Sequence, residues 1–276
     1  MRFTQRADVM GELRAAVFDW AGTVIDHGSL APMGVFVKTF AQFGVGITIP
    51  EARGPMGMAK RDHIQTLMAL PRVAAAWAKA QGAAPDEVAI DRVYDVFVPM
   101  NVEAVADHSV MIDGAVAAVQ RLRARGMKIG STTGYTRSIM ARVQPLARAQ
   151  GYEPDNLVCA GDLAEGRPSA LMMYRTFCDL GVWPAGRVVK VDDTGVGIAE
   201  GLNAGCWTVA VALTGNAFGL TPAETAALPA AEFAERKAAA YGELARSGAH
   251  YIIDTVAEID AVVDVIEGRI ARGERP

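Results

Sequence analysis

The chain predicts an α/β fold: a parallel sheet with a block of helices set into it. Three observations carry this reading. Short apolar runs alternate with segments of helical apolar spacing, which is the pattern of βαβ units. Most of those runs are followed by Gly or Asp and then by a helical pattern. Between about Gly28 and Asp107 the alternation stops, and helix follows helix with no strand signal.

Taken in order, residues 14–18 form the first apolar run, closed by DWAGT. Four segments of helical spacing fill the insertion: APMGVFVKTFAQFG, KRDHIQTLMAL, PRVAAAWAKAQG and PDEVAIDRVYDVFVPMNVEAVADH. GAVAAVQRLRARG leads back to the sheet, where residues 127–131 make the second run and end at GSTTGYT. Residues 157–159, 188–191, 207–211 and 251–253 supply four more, with GIAEGLNAG as the helix after the fourth. The expected architecture is a Rossmann-like parallel-sheet core from residues 1–27 and 108–276, with an all-helical cap domain at 28–107. Open sheets of this kind hold their sites at the carboxyl ends of the strands. Asp19, Thr132, Thr133, Asp192 and Asp193 therefore fall along one edge, and a helical cap over that edge can exclude water when it closes.

Composition narrows the function. A net charge of −4 leaves no basic field for nucleic acid, so an anionic substrate must be held by a few local cations and backbone donors. Cys159, Cys178 and Cys206 are far apart and form no CxxC pair, which argues against a disulfide framework or structural zinc and fits a reducing cytosol. The leading segment MRFTQRADVMGELR has no apolar core of a signal peptide, and stretches such as CWTVAVAL are too short to cross a bilayer. The expectation is a cytoplasmic protein with no membrane or nucleic-acid partner.

Four motifs carry chemistry. In DWAGT, Asp19 follows a buried strand, where a carboxylate serves as a nucleophile, a metal ligand or a helix cap. VKVDDTGVGIAEGLNAG places Asp192 and Asp193 side by side at another strand end. Adjacent carboxylates repel unless a cation or donors offset them, and Mg²⁺ suits a few carboxylates together with water and phosphate oxygens. GSTTGYT offers hydroxyls and loop N–H groups to an oxyanion, and EGRPSA offers Arg167, whose planar fork clamps phosphate. Taken singly, the last two are also ordinary turns.

This order of DxxGT, Ser/Thr loop, basic residue and DD resembles the haloacid dehalogenase superfamily. The resemblance implies that Asp19 attacks phosphorus, that the Ser/Thr and the basic residue hold the phosphoryl group, and that the last acids hold Mg²⁺. Phosphatases of that superfamily carry an Asp two residues after the nucleophile to protonate the leaving oxygen; here Ala21 stands there. PMGMAKRDH in the helical block offers another route. Lys60 and His63 share a helical face, and a lysine can form a Schiff base that accepts electrons when a P–C bond breaks. With PMGxxKxDH included, nearly the whole chain resembles the phosphonatase family.

That resemblance implies hydrolysis of the P–C bond of phosphonoacetaldehyde, in 2-aminoethylphosphonate degradation, by a magnesium-dependent homodimer joined through its caps. It implies Asp19 as nucleophile, Lys60 as Schiff-base lysine and His63 as a proton-transfer residue. Asp19, Asp193 and the Ala21 carbonyl become Mg²⁺ ligands, with Asp192 a ligand directly or through water. Thr133 and Arg167 bind the phosphoryl group, and Met56 and Tyr135 line the site. Two positions depart from patterns in the family: Ser29 where some members have Cys, and Gly197 where some carry a second acid. A generic Mg²⁺-dependent phosphatase and a non-catalytic phosphate-binding protein are the competing readings. Ala21 weighs against the first, and the complete set of reactive groups against the second.

Overall fold

The computed structural model describes residues 12–276. The reading of the leading segment as free of a targeting signal falls largely on residues 1–11, outside the described range. Strand β1 (Ala15–Phe18) leads into helices α1 (Ala31–Gln42), α2 (Ile49–Arg53), α3 (Lys60–Ala69), α4 (Pro71–Gln81) and α5 (Glu87–Ala104). The chain then continues through α6 (Ala115–Ala124), β2 (Lys128–Thr133), α7 (Arg137–Ala149), β3 (Val158–Cys159) and α8 (Leu171–Leu180). It ends with β4 (Val188–Asp192), α9 (Gly195–Asn203), β5 (Trp207–Val211), α10 (Pro222–Ala227), α11 (Ala230–Ala245), β6 (Tyr251–Ile253) and α12 (Ile259–Ala271).

The sheet order is β3-β2-β1-β4-β5-β6, and every pairing is parallel. The inner strands are buried on both faces, which is why they read as continuous apolar runs. One face packs Phe18, Ile129, Val191 and Val209 against α6, α7 and α12. On the other, Val17 and Val188 meet α8, while Ala210 packs with Ile198 of α9 and Leu244 of α11. Strand β2 runs two residues further than expected: Thr132 and Thr133 pair with Val158 and Cys159. Threonine is β-branched and fits a strand, so the loop begins only at Gly134.

Helices α1 to α5 share a separate apolar core built on Phe36, Phe40, Ala52, Ile64, Leu67, Trp77 and Phe97. This is the inserted helical cap. The short helix α2 went unnoticed in the sequence, although a capping box announces it: Thr48 and Glu51 satisfy each other's backbone N–H groups. No helix among the described residues is long and apolar enough to cross a membrane.

Strand β1 pairs with β2 on one side and β4 on the other, with Phe18 level with both Ser131 and Val191. The strand order reverses there, so the crevice beyond Phe18 is the switch point at which open parallel sheets bind ligands.

Candidate active site

Asp19 is the first residue past β1, and its N–H donates to Val191 O at 3.0 Å, continuing the ladder. Asp192 ends β4 and Asp193 follows it; Thr133 ends β2; Arg167 lies on the segment between β3 and α8. Lys60 is the first residue of α3, brought over this edge by the turn Gly54-Pro55-Met56-Gly57-Met58. Close approach requires glycine on both sides of the joint. A Cβ on Gly57 would sit 2.4 Å from Thr194 Oγ1, and one on Gly134 would sit 2.9 Å from Gly57 O. The cap thus rests directly on the strand ends.

Between them lies a cavity of ≈ 20 Å³. Asp19, Ala21, Met56, Lys60, Thr133, Tyr135, Arg167 and Asp193 all line it, together with Ser29 and Thr194. Residues from Asp19 to Thr194, far apart in the chain, are therefore brought to one point. Two of the expected site residues, His63 and Asp192, are buried beside the cavity and do not line it.

Behind Asp19 is a buried charge network. Arg167 Nη1 lies 2.8 Å from Asp19 Oδ1; its Nη2 donates to Thr132 O at 2.6 Å, and its Nε donates to Glu200 Oε2 at 3.0 Å. Lys190 Nζ reaches Thr132 Oγ1 at 2.8 Å, Asp192 Oδ2 at 3.0 Å and Glu200 Oε2 at 3.1 Å. Lys190 and Glu200, both fully buried, were missed in the sequence. The signal was there: a lysine inside the Val-rich run of a strand covered on both faces must find a carboxylate. Burial disfavours the charged Arg167, but Glu200, Asp192 and Asp19 outweigh it and raise its pKa.

Four buried carboxylates (Asp19, Asp192, Asp193 and Glu200) thus face two structural cations, Arg167 and Lys190. Burial first, and Asp192 second, push Asp19 up to about 6 against the pull of Arg167. Asp193 is pushed well above the usual carboxylate range by burial, Asp19 and Asp192. Its Oδ2 accepts the Asn216 N–H at 2.7 Å, while its Oδ1 has no hydrogen-bond partner. Carboxylate oxygens of Asp19, Asp192 and Asp193 lie within 4.8 Å of one another. Two uncompensated negative charges and an orphaned Asp193 oxygen fit a divalent cation.

The three acids are not equivalent. Asp192 Oδ1 accepts from Thr194 N at 3.0 Å and Thr194 Oγ1 at 2.8 Å, and Oδ2 faces Lys190. Burial opposes its ionisation, but Arg167 and Lys190 outweigh burial and lower its pKa. Asp192 is turned into the network, so Asp19 and Asp193 are the acids better placed to hold a cation. The same geometry explains Gly197: a Cβ there would lie 1.9 Å from Asp192 Oδ2, so Asp192 fills the room a second acid would need.

On the cap side, Lys60 is 2 % exposed, with Nζ 5.3 Å from the Tyr135 ring centroid and 5.9 Å from that of Phe36. Burial lowers its pKa to about 8; Arg167 adds to the shift and Asp19 opposes it. His63 lies on α3, stacked on Phe36 at 4.0 Å, with Nε2 2.8 Å from Ala52 O and Nδ1 unpartnered. Burial, then Lys60, hold it well below the ordinary imidazole value, so it is neutral. Burial likewise holds the Tyr135 hydroxyl in its protonated form.

A buried aspartate beside a cluster of acids that could hold a cation, at a sheet switch point, suits a hydrolase-type centre, and a family profile described as haloacid dehalogenase-like hydrolase matches residues 13–205, more than half of the chain. A phosphonoacetaldehyde hydrolase of Paraburkholderia xenovorans is 59% identical over 267 residues, covering 97% of this chain and 100% of its own. One from Pseudomonas aeruginosa is 44% identical, covering 96% of each. The crystal structure of a phosphonoacetaldehyde hydrolase-like protein from Oleispira antarctica superposes with a TM-score of 0.97 at 40% identity, covering 100% of both chains. The chain belongs to the phosphonoacetaldehyde hydrolase family of haloacid dehalogenase-like hydrolases.

Proposed function

We propose that this protein hydrolyses the P–C bond of phosphonoacetaldehyde to acetaldehyde and phosphate. One observation carries the reading beyond family membership: a buried cap lysine lines the same small cavity as Asp19 and Arg167, while the position of the usual leaving-group acid is Ala21. An alkoxide leaving group needs an acid, whereas a carbon leaving group conjugated to an iminium does not.

Residues 28–107 act as the cap in this reading, and its closing excludes water. Lys60, about a tenth of it neutral near pH 7 for a pKa of about 8, adds to the aldehyde carbon; the carbinolamine takes up one proton from water and loses water to give an iminium. Asp19 attacks phosphorus, the P–C bond breaks, and its electron pair passes into the iminium to leave an enamine. Arg167 and Thr133 hold the phosphoryl oxygens, with Arg167 also orienting Asp19. Met56 and Tyr135 enclose the aldehyde arm. The enamine takes a proton at carbon, with neutral His63 as relay through its free Nδ1. Water then hydrolyses the iminium, releasing acetaldehyde and Lys60, and a second water cleaves the aspartyl phosphate. Asp19, Asp193 and the Ala21 carbonyl would hold Mg²⁺, with Asp192 supporting them from the network. When bound, the ion supplies positive charge that screens Asp19 from the phosphonate and balances charge at phosphorus.

We further propose that the aldehyde arises by transamination of 2-aminoethylphosphonate, that the protein is a homodimer through its cap helices, and that it works in the cytoplasm; its three free cysteines fit a reducing compartment. The test is acetaldehyde release from phosphonoacetaldehyde with Mg²⁺, coupled to alcohol dehydrogenase, for wild type and Lys60→Arg. Release by wild type alone is expected. Turnover by Lys60→Arg would refute the Schiff base, and phosphate-ester hydrolysis that survives it would favour a generic phosphatase.

A further inference from the structure

The cavity of ≈ 20 Å³ holds a water or two and no more. A phosphonate with its aldehyde arm enters only if the cap lifts, so something must define the closed position. The glycine contacts at Gly57 and Gly134 permit closure but supply no directional attraction. Arg53, the last residue of α2 in the cap, supplies it. Its Nη1 donates to Gly28 O at 3.0 Å, to Asn216 Oδ1 at 3.0 Å and to Asn216 O at 3.3 Å, and its Nη2 donates to Gly219 O at 3.0 Å. Asn216 Nδ2 returns a hydrogen bond to Arg53 O at 3.3 Å. The guanidinium packs against Gly219, where a Cβ would come within 2.7 Å of Cζ. All these acceptors belong to the β1-to-cap connection or to the loop after β5, so one cap side chain ties three segments together.

The loop it grips is part of the site. Asn216 N–H is the donor to Asp193 Oδ2 at 2.7 Å, and a Cβ on Gly215 would lie 2.5 Å from Asp193 Cβ. Thr214 Oγ1 donates to Gly22 O at 2.8 Å, which ties the same loop to the turn after the nucleophile. We infer that Arg53 is the closure latch of the cap and a positioning residue for Asp193: by gripping the 214–220 loop it couples cap closure to the orientation of the cation-binding carboxylate. Cap seating and Asp193 geometry are then one event, made by a residue that touches neither substrate nor metal. The inference rests on the proposed function for its substrate, and on Asp193 as a cation ligand.

The experiment uses the full-length protein and the variants Arg53→Gln, Arg53→Lys and Asn216→Ala. Two quantities are read: KM and kcat for phosphonoacetaldehyde, and Mn²⁺ affinity of the substrate-free protein by electron paramagnetic resonance. Arg53→Gln is expected to raise KM tenfold or more, with a smaller change in kcat, and to weaken Mn²⁺ binding at least threefold. Arg53→Lys, which keeps the charge but loses the fork, should fall between it and wild type. Wild-type KM and Mn²⁺ affinity in folded Arg53→Gln would overturn the latch, and a raised KM with unchanged Mn²⁺ affinity would overturn the coupling to Asp193. If Arg53→Gln does not fold, Asn216→Ala carries the same two expectations from the core side. Absence of turnover in wild type refutes the proposed function instead, and the Mn²⁺ comparison still decides the coupling.

Discussion

Replacing Lys60 by Met should stabilise the protein near pH 7 while abolishing turnover. Lys60 is buried, and burial lowers its pKa from 10.5 to about 8. Among the described residues no carboxylate forms an ion pair with it; its near neighbours include the rings of Tyr135 and Phe36. In the unfolded chain the same amine titrates at its ordinary value. Below pH 8 both states carry the proton, and the native state bears the full cost of a buried ammonium. That cost is about 3 kcal/mol, at roughly 1.4 kcal/mol per unit of pKa shift. Between pH 8 and 10.5 the unfolded state binds the proton and the native state does not, so stability rises with pH across that window. The same shift makes the neutral amine roughly 300-fold more abundant near neutrality than an ordinary lysine would supply. Met matches the length of the stem without the charge. Urea unfolding of wild type and Lys60→Met at pH 7, 8.5 and 10 checks this. Lys60→Met should be more stable by up to about 3 kcal/mol at pH 7, and the gap should shrink steadily toward pH 10. A gap independent of pH would mean an ordinary lysine pKa and would refute the reasoning.

Other outcomes follow from the network and the cation site. Asp19→Asn should still form the Lys60 iminium, trapped by borohydride and seen by mass spectrometry, without releasing phosphate; appreciable phosphate release would reject Asp19 as nucleophile. Lys190→Met leaves Arg167 as the one remaining cation shared by Asp192 and Glu200, with a net buried negative charge, and should cost about 3–5 kcal/mol in urea unfolding. Gly197→Ala puts a methyl onto the Asp192 carboxylate and should destabilise by about 1–3 kcal/mol, with weakened phosphonate turnover; a wild-type unfolding curve would show that Asp192 can move aside. Chelation should abolish turnover and lower the thermal midpoint, because a cation bound only by the folded state stabilises it, and Mg²⁺ should restore both.

Legibility in the sequence followed a simple physical division. Inner strands buried on both faces read as apolar runs and the short edge strands as brief apolar triplets, so all six were recognisable to within a residue or two at most ends. The cap helices showed their apolar stripe, apart from α2, which is too short for periodicity to reveal. Chemical groups at strand ends were legible as well, because a carboxylate after a buried strand is rare enough to be noticed. Lys190 and Glu200 were hidden by company: one sits among valines and the other in a Gly-rich helix, and neither looks reactive until their side chains meet behind Arg167. Arg53 was hidden differently, since an arginine in GluAlaArgGly is indistinguishable from a solvated one until the loop after β5 folds over it. The neutral, inward-stacked His63 and the network-facing Asp192 were recognisable as residues, but their orientations were not.

The order of strands and helices, the edge along which the reactive groups lie and the absence of an acid at Ala21 were determined by the sequence alone, because periodicity and residue type are local properties. Tertiary structure decided which carboxylate is free for a cation, which lysine is stripped of water and which arginine seats the cap. Those properties depend on burial and on partners distant in the chain: Asp192 is spent on Lys190 and Thr194, while Asp193 keeps an oxygen bare. A charge in a low-dielectric interior is governed by its few nearest neighbours, and only the folded chain chooses them.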